Sequence, residues 1–296
     1  MQARFPLTTN APVLLLSKIV LGIFLLRQGK AVRGNTAKLP EAAGERSGTI
    51  SNSTTGELLA GLPYRLLIIG DSAAAGVGAG QQTQALAYQT ASLLSDTIKR
   101  PVFWRLIAKS GLNTLECLQL VQTELLEKHK EKNNDISKDK SENISKSSQY
   151  DAIFTSLGAN DVTSQIKPTQ HIQNLSALWS ELQVQTGAQT LLISAIPPMH
   201  NFPALPQPLR WYIGRYAGWL DNAVQGWITT YNKNITSNNE VLYCDLSWGK
   251  NNSLADMASD GYHPGPPIYA LWAAQAAGLL AQHILQNNSN HYECRH

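Results

Sequence analysis

The chain has 296 residues, 43% apolar and 15% charged, which is long enough for one large α/β domain or two small ones and excludes wholesale disorder. Its formal net charge of +3 comes from scattered lysines and arginines, without the clustered basic stripe that nucleic-acid binding requires. Cys117, Cys244 and Cys294 are widely spaced, with neither a CxxC pair nor the density of a disulfide-stapled domain, and read as plain core or tail residues.

The apolar stretch from Ala11 to Leu26 is interrupted by Ser17 and Lys18 and followed by Arg27, Lys30 and Arg33. As a helix it would extend roughly 24 Å, short of a hydrocarbon core of about 30 Å, with Lys18 near its middle. A cleaved signal peptide fits poorly, because little positive charge precedes the stretch and no small-x-small cleavage site follows it. Residues 1–33 are read as a candidate membrane anchor, beside the alternative of a helix docked on the core. The excess of positive charge after the stretch favours a cytoplasmic domain, with export by an atypical signal left open.

Residues 34–62 are rich in Gly, Ser, Thr and Pro and read as a linker to a main domain over 63–290, with 291–296 as a tail. From Glu127 to Lys146 lysines alternate with acidic residues among Asn and Ser, without an apolar face. This run reads as a solvated insertion, 127–148, lengthening a surface loop.

Within the main domain, Tyr64 to Ile69, Val102 to Ile107, Ala152 to Leu157, Thr190 to Ile196 and Val241 to Tyr243 are short branched apolar runs that predict buried parallel strands. Helical patterns lie between and after them, over 82–99, 114–127, 169–186, 208–231 and 267–286, the last opened by Pro267. The alternation predicts a three-layer α/β/α sandwich around a five-stranded parallel sheet, with function at the carboxyl ends of the strands.

Each strand end carries chemistry. After the first comes Gly70-Asp71-Ser72 and a glycine-rich stretch leading into a helix. A serine there would expose its hydroxyl above the sheet, with its N–H near a helix N-terminus; alone, the tripeptide is more often an ordinary capping turn than a nucleophile. A dinucleotide or phosphate loop is disfavoured, since no GxGxxG directly follows the strand, no Gly-Lys-Ser/Thr follows, and strand two ends without an acidic residue to hold a ribose. After strand two lies Ser110-Gly111-Leu112-Asn113, and after strand three Gly158-Ala159-Asn160-Asp161. Gly111 through its backbone N–H and Asn160 through its amide are suited to join the Ser72 N–H as oxyanion donors, against the plain reading of both as loop residues. Past strand five, Asp260-Gly261-Tyr262-His263 precedes the last helix. An acid three residues before a histidine can hold one ring nitrogen and leave the other to take a serine proton. His171, His200 and His283 lack a comparable setting, and no cluster has the spacing of metal ligands.

With these segments in the order Ser, Gly, Asn, Asp-x-x-His, residues 63–286 resemble the SGNH (GDSL-type) hydrolases. The resemblance implies a flavodoxin-like sheet and no cofactor. It also implies Ser72 as nucleophile, His263 as base, Asp260 as its orienter, and Ser72 N–H, Gly111 N–H and Asn160 as the oxyanion hole. Ala73 and Ala75 depart from the residues common in the best-known branch. Bacterial members, mostly uncharacterised hydrolases, resemble the chain also at 39–44, 202–210 and 257–261.

The expected function is hydrolysis of a small-molecule carboxylic ester through an acyl-enzyme. The segment from Pro197 to Trp219, with Met199, Phe202, Leu205, Leu209, Trp211, Tyr212, Ile213 and Tyr216, forms an apolar aromatic wall suited to an acyl or aryl group or a lipid-derived ester, although its spacing also fits plain core. Rings of this kind also stack on sugars, so a carbohydrate O-acetylesterase is the enzymatic alternative. A membrane-tethered binding module without turnover is the alternative of another class.

Overall fold

The computed structural model describes residues 7–51, 56, 58–134, 149–235, 239–246 and 256–293. Five strands follow the predicted apolar runs: β2 (Tyr64–Gly70), β3 (Val102–Ala108), β4 (Ala152–Ser156), β5 (Thr190–Ser194) and β6 (Glu240–Cys244), each parallel to its neighbours. A sixth, β1 (Ser47–Ile50), lies in the stretch expected to be linker and pairs antiparallel with β3, so the sheet is six-stranded and mixed, in the order β1-β3-β2-β4-β5-β6. β1 is short and half-exposed at the sheet edge, so it needs no apolar run and leaves no strand signal in the sequence.

Helices cover both faces. In β2, Leu66 and Ile68 enter a core with α2 (Leu86–Ile98) and α7 (Pro266–Glu293), whereas Leu67 and Ile69 enter the opposite core with α3 (Thr114–Asn134), α5 (Pro168–Thr186) and α6 (Leu209–Asn234). This two-residue alternation with both sides buried is why the central strands read as unbroken apolar runs. α3 continues past Glu127, the expected start of the insertion, and residues 135–148 lie outside the described residues, as does Cys294. α7 runs into the stretch expected as tail. The short helix α4 (Ala159–Thr163) carries the Asn160 turn and was not predicted.

The amino-terminal stretch forms α1 (Leu7–Asn35), packed on α6. It is long and apolar enough to cross a membrane, as is the carboxyl-terminal helix over Pro266–Asn287, half of which is buried in the core.

The five parallel strands follow the flavodoxin-like order, in which the first strand has the second on one side and the third on the other. The topological switch point therefore lies between the carboxyl ends of β2 and β4, where open α/β sheets bind ligands. Ser72 follows β2 and Asn160 follows β4.

Candidate active site

β2 runs into a tight turn held by Asp71, whose Oδ1 accepts the Ala73 N–H at 3.0 Å, while the Ala75 N–H donates to the Asp71 carbonyl at 2.9 Å. The Val77 N–H donates to the Ser72 carbonyl at 3.0 Å. Successive turns carry the chain onward, and α2 begins only at Leu86, so Ser72 does not sit at the helix N-terminus expected from the sequence. The glycine-rich stretch favours turns because its small residues let the backbone fold tightly on itself.

The loop that carries His263 is closed by the Ala258 N–H donating to the His263 carbonyl at 2.9 Å and the Gly265 N–H donating to the Asp256 carbonyl at 2.9 Å. It meets the serine turn at Gly78, which has φ +97° and where a Cβ would lie 2.2 Å from the Pro264 carbonyl oxygen. Only glycine permits that approach. Tyr269 of α7 ties the same region by donating its hydroxyl to the Val77 carbonyl at 2.7 Å.

His263 Nε2 thereby lies 2.9 Å from Ser72 Oγ, although 191 positions separate the residues. Its Nδ1 lies 2.6 Å from Asp260 Oδ2. The other Asp260 oxygen accepts the Tyr262 and His263 N–H groups at 2.9 and 3.0 Å. Burial by itself would raise the Asp260 carboxyl, but the His263 ring and the two backbone donors outweigh it and hold the group below the usual carboxylate range.

Asn160 joins the serine turn to the Gly111 loop. Its Nδ2 donates to Asp71 Oδ2 at 3.1 Å and to the Leu112 carbonyl at 3.0 Å. Gly111, directly before Leu112, is exposed with φ +88° and open space where a Cβ would be, so its backbone conformation rather than crowding favours glycine. Burial pushes the Asp71 carboxyl up to about 6, against the opposing effects of the Ala73 N–H, the His263 charge and the Asn160 amide.

Some supporting residues were missed in the sequence. Asp161 is fully buried; its Oδ2 accepts the Thr114 N–H and hydroxyl, both at 3.0 Å, and its Oδ1 lies 3.0 Å from His171 Nδ1. His171 therefore does have a carboxylate partner, contrary to expectation, and His283 has one in Glu240 at 3.1 Å; neither is bonded to Ser72. Glu41 accepts the Ser110 N–H and hydroxyl at 2.7 and 2.8 Å and pairs with Arg46, bracing the loop one residue before Gly111. The available signals were Asp161 standing next to Asn160, and the family likeness at 39–44.

A cavity of about 30 Å³ opens beside Ser72 and His263, walled by Leu157, Ala159, Pro197, Phe202, Met257 and Tyr262. Phe202 meets Tyr262 edge-on at 5.1 Å, and Tyr262 meets the His263 ring at 5.3 Å. Of the aromatic wall expected from the sequence, Phe202 lines the cavity, while Tyr212, Ile213 and Tyr216 sit in the core behind it. Among the described residues, no group of three or more His, Cys, Asp or Glu side chains is placed to hold a metal ion.

No curated protein matches the chain by sequence. Its fold is similar to the crystal structure of TesA, at 18% identity over 74% of this chain and 99% of that one with a TM-score of 0.53. It is also similar to the lipase Lip_vut3 from a goat rumen metagenome, at 15% identity over 72% and 97% of the two chains with a TM-score of 0.50. The model of the GDSL-like lipase/acylhydrolase family matches residues 68–271, well over half of the chain. The chain belongs to that family and is a serine hydrolase of ester bonds.

Proposed function

We propose that Ser72 is the nucleophile, His263 the general base and Asp260 the group that orients it. The hydrogen-bonded line from Ser72 Oγ to His263 Nε2 at 2.9 Å and from His263 Nδ1 to Asp260 Oδ2 at 2.6 Å carries this reading. His263 takes the serine proton as Oγ attacks the ester carbonyl, and returns it to the departing alcohol. Water, deprotonated by the same ring, then attacks the acyl-enzyme, and the ring returns that proton to Ser72 Oγ as the acid leaves. The oxyanion is held by the Ser72 and Gly111 N–H groups and by Asn160, whose amide exchanges one of its two resting acceptors for the substrate oxygen.

The substrate we propose is a carboxylic ester with a small acyl group. A cavity of about 30 Å³ lined mainly by apolar side chains has room for an acetyl-sized group, given that one water needs roughly 10–15 Å³. A lipid-derived ester with a long acyl chain would extend beyond this cavity. An O-acetylated carbohydrate shares the small acyl group and is the second reading.

The test is hydrolysis of p-nitrophenyl esters from acetyl to dodecanoyl by the full chain and its Ser72→Ala variant. The expected result is a maximum at the shortest acyl groups, abolished by Ser72→Ala. A maximum at dodecanoyl would favour the lipid reading, and no turnover of any of these esters would point to a narrower substrate.

A further inference from the structure

Helix α1 is apolar on two sides. Leu14 and Leu25 are buried against the same cluster that holds Met199, Phe202 and Leu209, and Gln28 grips the start of α6. Its Nε2 donates to the Gln207 carbonyl at 2.8 Å and its Oε1 accepts the Leu209 N–H at 3.1 Å. The other side carries Leu15, Leu16, Ile19, Val20, Ile23 and Leu26, between 62% and 75% exposed. So large a contiguous apolar face marks an interaction site.

Leu14 and Leu25 are about 16 Å apart along a helix, so α1 is fastened lengthwise to the domain rather than by one end. That attachment conflicts with a spanning orientation. A transmembrane helix must be surrounded by lipid or apolar protein over about 30 Å, and here the domain would be drawn into the hydrocarbon with its polar surface. A helix lying flat, with one face in the headgroup boundary and the other on its own domain, satisfies both sides.

The charges select the occupant. From Leu7 to Pro40 every charged side chain is basic: Lys18, Arg27, Lys30, Arg33 and Lys38, with the first acid at Glu41. A second copy of α1 would bring these cations against their own kind, whereas an anionic lipid surface complements them.

We propose that the exposed face of α1 binds in the plane of an anionic bilayer, so that the enzyme sits on the membrane surface without crossing it. The contact adjoins the catalytic cavity. The cluster that receives Leu14 and Leu25 also contains Phe202, and Met257 and Tyr262 pack against it; all three line the cavity beside Ser72. Seating α1 in lipid therefore braces the acyl wall, and esters presented at the interface are turned over faster. This kinetic part rests on the Ser72 reading above, whereas the binding part does not.

The experiment floats the full chain with vesicles of phosphatidylcholine, with and without phosphatidylglycerol, beside the doubly substituted variant Ile19→Asp, Ile23→Asp. Both residues point away from the domain, so this variant should keep the thermal midpoint and the vesicle-free hydrolysis of p-nitrophenyl acetate. The expected results are binding to the anionic vesicles, release by alkaline carbonate, and at least tenfold weaker binding by the variant. Resistance to carbonate would mean a spanning helix and overturn the proposal. So would flotation unaffected by the substitutions, a dimer in light scattering that they dissolve, or an intact mass from cells showing that α1 has been removed. If vesicles bind but no ester is hydrolysed, the surface stands and the Ser72 reading fails.

Discussion

The side-chain amide of Asn160 donates to the buried Asp71 carboxylate at 3.1 Å and to the Leu112 carbonyl at 3.0 Å, so both amide protons are engaged in the resting site. On the proposed oxyanion role of Asn160, the substrate oxygen displaces one of these acceptors. Asn160→Ala is therefore expected to lower kcat by about 10²–10³ with little change in KM, the usual cost of losing one oxyanion donor. Asp71→Asn replaces one acceptor by a donor and should misdirect the amide, lowering kcat in the same sense by a smaller factor. Steady-state kinetics on p-nitrophenyl acetate separates the two parameters.

Ser72→Ala and His263→Ala should each remove at least about 10⁴ of the rate, and Asp260→Asn a comparable factor by favouring the wrong His263 tautomer. Circular dichroism should remain native in Ser72→Ala. Full activity in any of the three would remove that residue from the proposed line of proton transfer.

Phe202 lines the cavity and is 5% exposed. Phe202→Ala should move the preferred acyl chain to longer esters, while costing about 3–5 kcal/mol of stability. An unchanged chain-length profile in a folded variant would place the acyl group elsewhere.

Two carboxylates should give opposite acid profiles. The Asp260 pKa is held below its usual 3.8, so its ionised form stabilises the fold above that pH, and the contribution is lost as pH falls through the native value. The Asp71 pKa is raised to about 6, so its charge opposes folding above that pH, and the penalty fades as pH falls from about 6 towards 3.8. Urea melts should show wild type gaining relative to Asp71→Asn as pH falls from about 6 towards 3.8, and losing its advantage over Asp260→Asn only on further acidification below 3.8.

Asp161→Ala should leave the Thr114 N–H and the His171 ring without their buried partner and cost about 3 kcal/mol. Glu41→Ala should leave the fold intact but loosen the loop before Gly111, lowering kcat by roughly tenfold, or about 1.4 kcal/mol. Thermal melts and kinetics distinguish the two effects.

The strand runs, most helix spans and the pairing of Asp260 with His263 were legible because each rests on local order, whereas Ser72 reaches His263 across 191 positions. Apolar residues repeat at the period of a buried strand, and an acid three positions before a histidine can reach its ring within one turn. By itself the sequence determined the alternation of strands and helices and the residue types at each strand end. Tertiary structure decided what those residues touch. The edge strand β1, with no apolar run, exists only because β3 offers it an unpaired edge. Glu41 and Asp161 gave no periodic signal because polar side chains show no periodicity, and their partners lie 69 and 47 positions away; His171 is held through Asp161 in turn. The likeness to bacterial relatives at 39–44, 202–210 and 257–261 becomes intelligible through the same contacts: Glu41 braces the Gly111 loop, Phe202 and Met257 wall the cavity, and Asp260 holds His263. The size of the cavity and the face of α1 left exposed are likewise products of packing between distant segments, which no local pattern encodes.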